Sequence, residues 1–242
     1  MIEVKNLDKY YSSFKALDNV NFSVDDGQIV GLLGLNGAGK TSLLKILGTL
    51  QLPSSGQALI DGVDVEQDPY TARTKIGYLT DVPALYKEMK VISFLRFVAG
   101  IKNVPSSEID RYVEEAMEIT HIKEVANKRL FQLSHGFRQR VGVSQAILCK
   151  PKLLILDEPI NGLDPIQIIE MRDLFLSLKG KHTVLLSTHI ISEVTKTCDR
   201  ILMIHKGKLV RECDNVEALG QDQIEHMFVE LVQGSGQGEY NA

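Results

Sequence analysis

The stretch Gly34-Leu35-Asn36-Gly37-Ala38-Gly39-Lys40-Thr41 decides how this chain is read. It has a glycine, four residues, a second glycine, a lysine and a hydroxyl residue, the pattern of a phosphate-binding P-loop. The apolar run Ile29–Leu33 before it predicts a buried strand. Leu43, Leu44, Ile46 and Leu47 after it predict a helix, which places the loop at a strand-to-helix turn. Glycines let backbone N–H groups close around an anion, and the helix start adds its partial positive charge. Lys40 brings a full charge for the β- and γ-phosphates, while the Thr41 hydroxyl can ligate Mg²⁺. From average composition the pattern arises by accident on the order of once per hundred chains of this size, and correct flanks make it rarer. The loop, with Asn36, Gly37 and Ala38 at its centre and Ser42 after it, is therefore a nucleotide-binding segment.

Bulk properties narrow the class. A length of 242 residues allows one large domain or a compact core with an inserted subdomain. With 31 acidic against 27 basic residues the net charge is −4. That argues against a nucleic-acid partner, which calls for a basic surface excess. The segment Met1-Ile2-Glu3-Val4-Lys5 has no basic start leading into an apolar run, so no signal peptide is expected. No apolar stretch approaches the roughly 20 residues of a membrane helix, so any membrane role is expected to come through a partner. Cys149, Cys198 and Cys213 are odd in number and lack zinc-type spacing, which predicts buried or free thiols.

Along the chain, residues 1–33 read as strands. Val20, Phe22 and Val24 alternate with polar residues, and Asp25-Asp26-Gly27 is a turn signal. Tyr10 and Tyr11 are assigned to an early loop. Pro53-Ser54-Ser55-Gly56 predicts a turn, followed by short strands at 58–60 and Ile76–Leu79. From Pro83 to Cys149 the pattern becomes helical. Val91, Phe94, Leu95 and Val98 make one stripe, and Ile109, Tyr112, Val113 and Ala116 make another. Pro105-Ser106-Ser107-Glu108 between them predicts a helix start with serine ahead of an acidic first turn. Strand–helix alternation resumes at Leu153, so the helical block reads as an insertion. Leu153-Leu154-Ile155-Leu156 and residues 183–186 predict strands buried on both faces. Ile166, Ile169, Leu174 and Leu178 are assigned to the apolar side of the helix between them. Residues 201–204 and 208–210 finish the sheet around Lys206-Gly207. Ile224, Met227, Phe228 and Leu231 predict a last amphipathic helix, and 233–238 is glycine-rich enough to be disordered.

Two constellations carry chemistry beside the P-loop. The first buried run ends in Asp157-Glu158 and the second in Ser187-Thr188-His189. Open α/β sheets bind ligands at the carboxyl ends of their strands, so both ends face the nucleotide. Asp157 is placed to hold Mg²⁺ directly or through water, and Glu158 to polarise the attacking water. His189 can hydrogen-bond a γ-phosphate oxygen at the same edge.

With these motifs in order, the chain resembles the ATP-binding subunit of an ABC transporter over nearly its whole length. The residues that carry the resemblance are the P-loop, Leu133-Ser134-His135-Gly136-Phe137-Arg138-Gln139-Arg140, residues 153–159, Gly162-Leu163-Asp164 and Ser187-Thr188-His189. The resemblance implies an α/β fold: a P-loop NTPase core with an antiparallel β subdomain and an inserted α-helical subdomain. The ATPase domain would span 1–220 with the insert at about 83–150, and 221–242 would be a C-terminal helix and flexible tail. It implies ATP and Mg²⁺ as cofactors, Glu158 as catalytic base and His189 as switch histidine. Ser134 and Gly136 would meet the γ-phosphate of ATP held by the opposite subunit, and Asp164 would couple the two sites. Tyr11 matches the aromatic that stacks on adenine, with Tyr10 the alternative one position away.

There are departures from the family pattern. Asp81 stands where a glutamine touching Mg²⁺ and the membrane partner is usual, which leaves its role as a metal ligand open. His135 and Phe137 replace a common glycine and glutamine, and Ile160 a frequent threonine. The partners implied are an integral-membrane permease docked near residues 81–91 and a second ATPase subunit, identical or related, with no nucleic acid. The chain would then sit peripherally on the cytoplasmic side of the membrane. Tyr78-Leu79-Thr80-Asp81, Leu85-Tyr86 and residues 223–231 resemble the exporter branch called ABC-2. The competing expectation is a soluble ABC ATPase acting on nucleic acid or ribosomes. It lacks support from any second nucleotide domain, long coiled coil, zinc module or basic extension.

Overall fold

The computed structural model describes residues 1–234, so the glycine-rich segment expected to be disordered lies outside the described residues from 235 onward. In chain order the elements are β1 (Ile2–Tyr11), β2 (Phe14–Val24), β3 (Ile29–Leu33), α1 (Lys40–Leu47), β4 (Ser55–Ile60) and β5 (Val63–Asp64). Next come α2 (Pro69–Thr74), β6 (Ile76–Leu79), α3 (Val91–Ile101), α4 (Ile109–Ile119) and α5 (His135–Ile147). Then follow β7 (Leu153–Asp157), α6 (Pro165–Leu178), β8 (Thr183–Thr188), α7 (Ile191–Thr197), β9 (Arg200–His205), β10 (Lys208–Asp214), α8 (Val216–Leu219) and α9 (Gln221–Gly234).

An antiparallel sheet in the order β2-β1-β4-β5 packs beside a six-stranded sheet in the order β10-β9-β3-β8-β7-β6. In the larger sheet every pair is parallel except β9 with β10. Its apolar runs are continuous because both faces are covered. Val30, Leu32, Leu153, Ile155 and Leu185 pack with α1 and the antiparallel sheet. Their alternating neighbours Ile29, Leu33, Leu154, Leu156, Val184 and Leu186 pack with the helices on the other face. The three helices α3, α4 and α5 enter between the paired strands β6 and β7. Ile224, Met227 and Phe228 of α9 are buried in the same helical layer, and all three cysteines are free thiols.

Several local expectations are corrected. Tyr10 and Tyr11 are in β1, not a loop, because they pair with Lys15 and Phe14 and leave only Ser12 and Ser13 to turn. Ser55 and Gly56 belong to β4, so the turn before it is shorter than predicted. The buried face of α6 runs through Met171, Leu174, Phe175 and Leu178, with Ile168 packed at its start. Ile166 and Ile169 lie off that stripe and are 71% and 50% exposed. No serine caps α4, whose N-cap residue is Glu108 and makes no side-chain cap hydrogen bond.

Candidate nucleotide site

The P-loop joins β3 to α1, and two of its glycines adopt conformations other residues avoid, Gly37 at φ 81° and Gly39 at φ 109°. A Cβ on Gly39 would lie 2.7 Å from the Ala16 carbonyl oxygen, so backbone crowding enforces glycine there as well. Lys40 opens α1 but is only 6% exposed. Its Nζ folds back over the loop, donating to the carbonyls of Gly34 (2.7 Å) and Leu35 (3.4 Å), and stands 3.1 Å from Glu158 Oε1. That contact is one of charge, because Oε1 is buried and accepts no directed hydrogen bond.

The ends of β7 and β8 supply the acidic side. Thr41 Oγ1 donates to Asp157 Oδ1 at 3.4 Å, and Ser187 Oγ donates to the same oxygen at 2.6 Å. Burial pushes the Asp157 carboxyl above the usual aspartate range. Hydrogen bonds from Ser187 and Thr41 oppose the rise, and the charges of Glu158 and Asp81 add to it. Glu158 follows in a left-handed conformation, φ 46°, that turns its side chain off the strand. Its Oε2 lies 3.1 Å from His189 Nδ1. Lys40, Glu158 and His189 thus form one chain of contacts across three elements.

Above them opens a cleft of about 520 Å³ lined by residues 35–42, Asp81, Glu158, Asn161 and His189. Tyr11, Phe14 and Ala16 form one wall. Tyr11 is held there by its hydroxyl, which donates to Gln51 Oε1 at 2.6 Å and lies 3.2 Å from Ser42 Oγ. Tyr10 does not line the cleft; its ring carries the Lys15 ammonium 5.3 Å away. Gly34 closes the start of the loop against β9, where a Cβ would meet the Ile204 carbonyl oxygen at 2.5 Å.

The remaining predicted residues lie elsewhere. Ser134 caps α5 by accepting from the Phe137 N–H at 3.3 Å, and neither it nor Gly136 lines the cleft. Asp164 caps α6, accepting from the N–H groups of Ile166 and Gln167. His135 reaches across with Nε2 to the Asn161 carbonyl at 2.9 Å, and Asn161 Nδ2 donates to Asp81 Oδ1 at 3.4 Å. Sequence reading gives no site role to Phe14, Ala16, Asn161 and Ser187. The first three are ordinary residues beside a motif, and Ser187 is read only as part of Ser187-Thr188-His189.

The chemistry of the donor set suits Mg²⁺. Among the described residues no group of three or more His, Cys, Asp and Glu could hold a metal. A hydroxyl and a carboxylate converge at Thr41 and Asp157, with a second carboxylate, Asp81, on the cleft wall. One or two carboxylates plus substrate phosphates is how Mg²⁺ is commonly held. Among the described residues no helix is long and apolar enough to cross a membrane.

The sequence model of a protein family described as ABC transporter matches residues 17–161. The chain belongs to the ABC transporter family. It is an ATP-binding subunit and an ATPase of that family. It is 38% identical over 214 residues to the bacitracin transport ATP-binding protein of Bacillus licheniformis, covering 88% of this chain and 69% of that one. To an ABC transporter ATP-binding protein of Bacillus subtilis it is 35% identical, covering 94% and 75%. A solved ATP-binding subunit of an ABC transporter superposes with a TM-score of 0.84 at 30% identity, over 96% of this chain and 99% of that one. A dimeric bacterial ABC transporter cassette superposes at 0.81 and 27% identity, over 88% and 98%.

Proposed function

We propose that two ATPase subunits, this chain paired with a copy or a relative, enclose two ATP molecules head-to-tail and drive a separate membrane permease for export. The supporting observation is a division within one chain. The cleft gathers Lys40, Thr41, Asp81, Glu158 and His189, while Ser134 and Gly136 lie outside it. A helix N-terminus with small residues is an anion site, and among the described residues no carboxylate pairs with this one. Kinship with the bacitracin transport protein supports export. The domain proper is then 1–220 with the insert at 83–150, 221–242 is an appendage, and the subunit sits on the cytoplasmic face of the membrane.

In this reading Tyr11 stacks on adenine, and the loop amides of residues 34–42 with Lys40 hold the phosphates. Thr41 and Asp157 would hold Mg²⁺, with Asp81 on the cleft wall beside them; the ion would supply positive charge against the phosphate oxygens. Without nucleotide, Glu158 is the counter-ion of Lys40. An arriving phosphate replaces it, which frees the Glu158 carboxylate to take a proton from water while His189 orients both. Asp164 links the two sites across the dimer. Turnover of the wild type and of Glu158→Gln tests the scheme. The variant should bind ATP, dimerise stably and lose hydrolysis; equal turnover in both proteins would overturn it. Purification from membranes with a permease tests the partner, and recovery only with soluble nucleic acid would refute it.

A further inference from the structure

Three parts of the site meet at the tip of β8, the strand between β3 and β7. The Thr188 carbonyl accepts from the Gly34 N–H at 3.4 Å, and His189 meets the Glu158 side chain. Ser187, one residue before Thr188, is fully buried and pairs in register with Asp157. Its hydroxyl uses both of its capacities. The proton goes to Asp157 Oδ1 at 2.6 Å, and a lone pair accepts from the Glu158 N–H at 2.9 Å. A single oxygen therefore fixes the carboxylate of one residue and the backbone of the next.

That backbone needs fixing. Glu158 is a non-glycine residue at φ 46°, a conformation L side chains rarely adopt. Its left-handed turn sends the carboxylate toward Lys40 and His189 instead of along the strand. We infer that Ser187 is a positioning residue for hydrolysis, clipping Asp157 against Thr41 and holding the turn that presents Glu158. Without the hydroxyl, the Glu158 N–H is buried with no acceptor and Asp157 Oδ1 keeps only the longer bond from Thr41. Each loss loosens one carboxylate. The inference rests on the ATPase reading, in which those two carboxylates act on the metal and on water.

Ser187→Thr and Ser187→Val make the test, because they add equal bulk and differ by the hydroxyl. Groups that orient metal ligands are worth about 10–100-fold in metal affinity or activity. Ser187→Thr should stay within about threefold of wild-type kcat. Ser187→Val should lose about tenfold or more, with unchanged affinity for a fluorescent ATP analogue in EDTA. Its Mn²⁺ requirement for nucleotide binding, read by paramagnetic resonance, should rise by a similar factor. Equal kcat and equal Mn²⁺ dependence in the two variants would overturn the proposal, as would loss of metal-free ATP binding in the valine form alone. Ser187→Ala, which adds no bulk, is read by the same criteria if the larger variants fail to fold. A wild type whose turnover ignores Glu158 would refute the ATPase scheme instead, while the Thr-against-Val difference in Mn²⁺ affinity would still judge Ser187.

Discussion

The carboxyl edge of the six-stranded sheet and the start of α5 are both shaped for phosphate, but they are finished to different degrees. At the sheet edge, Lys40, Glu158 and His189 meet in one run of charge and hydrogen-bond contacts, and Thr41 and Ser187 hold Asp157. At α5, Ser134 caps its own helix and stays exposed, and His135 spends its ring on a loop carbonyl. The first region is organised by contacts among its own side chains. The second is a helix start with which, among the described residues, no carboxylate pairs; His135 through Asn161, and Gln139 through the Asp81 carbonyl, tie the helix back to the cleft wall. Substitutions at the sheet edge should therefore disturb both the fold and binding, whereas those at α5 should lower activity at a cost of no more than about 1 kcal/mol in stability.

Lys40→Ala should show the largest effect. Nucleotide binding and hydrolysis should fall on the order of 100-fold or more. The ATP-free chain should also lose about 3–5 kcal/mol in urea unfolding, because Glu158 is left buried without its cation. Unchanged stability would show that the ion pair does not organise this edge.

The paired glycine substitutions sharpen the contrast. In Gly39→Ala the new Cβ meets a backbone oxygen at 2.7 Å in a left-handed residue, so stability should drop by at least about 1–2 kcal/mol and ATP affinity with it. In Gly136→Ala the new Cβ meets only the far end of the flexible Gln167 side chain, also at 2.7 Å. Its thermal midpoint should stay near wild type while turnover falls, since the displaced Gln167 amide disturbs the helix start that faces the opposite ATP in the proposed dimer. Similar midpoints for both variants would erase the distinction.

Ser134→Ala should cost about 1 kcal/mol for the lost cap. Its ATP affinity as a monomer, measured by equilibrium dialysis, should not change, and a drop would place Ser134 in its own chain's site.

The smallest effect belongs to the far end of β8. His182, just before Thr183, is buried with Nδ1 2.6 Å from the Pro151 carbonyl, and burial holds its pKa below the usual histidine value. Between that lowered value and about 6.5 the unfolded chain binds more protons than the folded one, so stability rises with pH through this window and is lost as pH falls through it. The slope from one proton is at most about 1.4 kcal/mol per pH unit, and His182→Gln should flatten it.

The parallel strands were legible because burial on both faces writes an uninterrupted apolar run, as at residues 153–156 and 183–186. Helix faces were less so. Ile166 and Ile169 matched an apolar stripe in composition yet lie on the open side of α6, since periodicity alone does not say which of two overlapping stripes meets the core. The tyrosines were placed in a loop because the two-residue turn at Ser12 and Ser13 carries no glycine or asparagine to mark it.

The P-loop was determined by sequence alone, because its cradle comes from consecutive residues: glycines that free the backbone, a lysine at the first helical turn and a hydroxyl beside it. Tertiary structure decided what surrounds it. That Tyr11 and not Tyr10 faces the cleft depends on the register of β1 with β2. That Ser187 holds Asp157 and Glu158 depends on β8 lying next to β7, across some thirty residues of chain. Local chemistry is written in neighbouring residues, whereas orientation is written in strand order, which no single stretch contains.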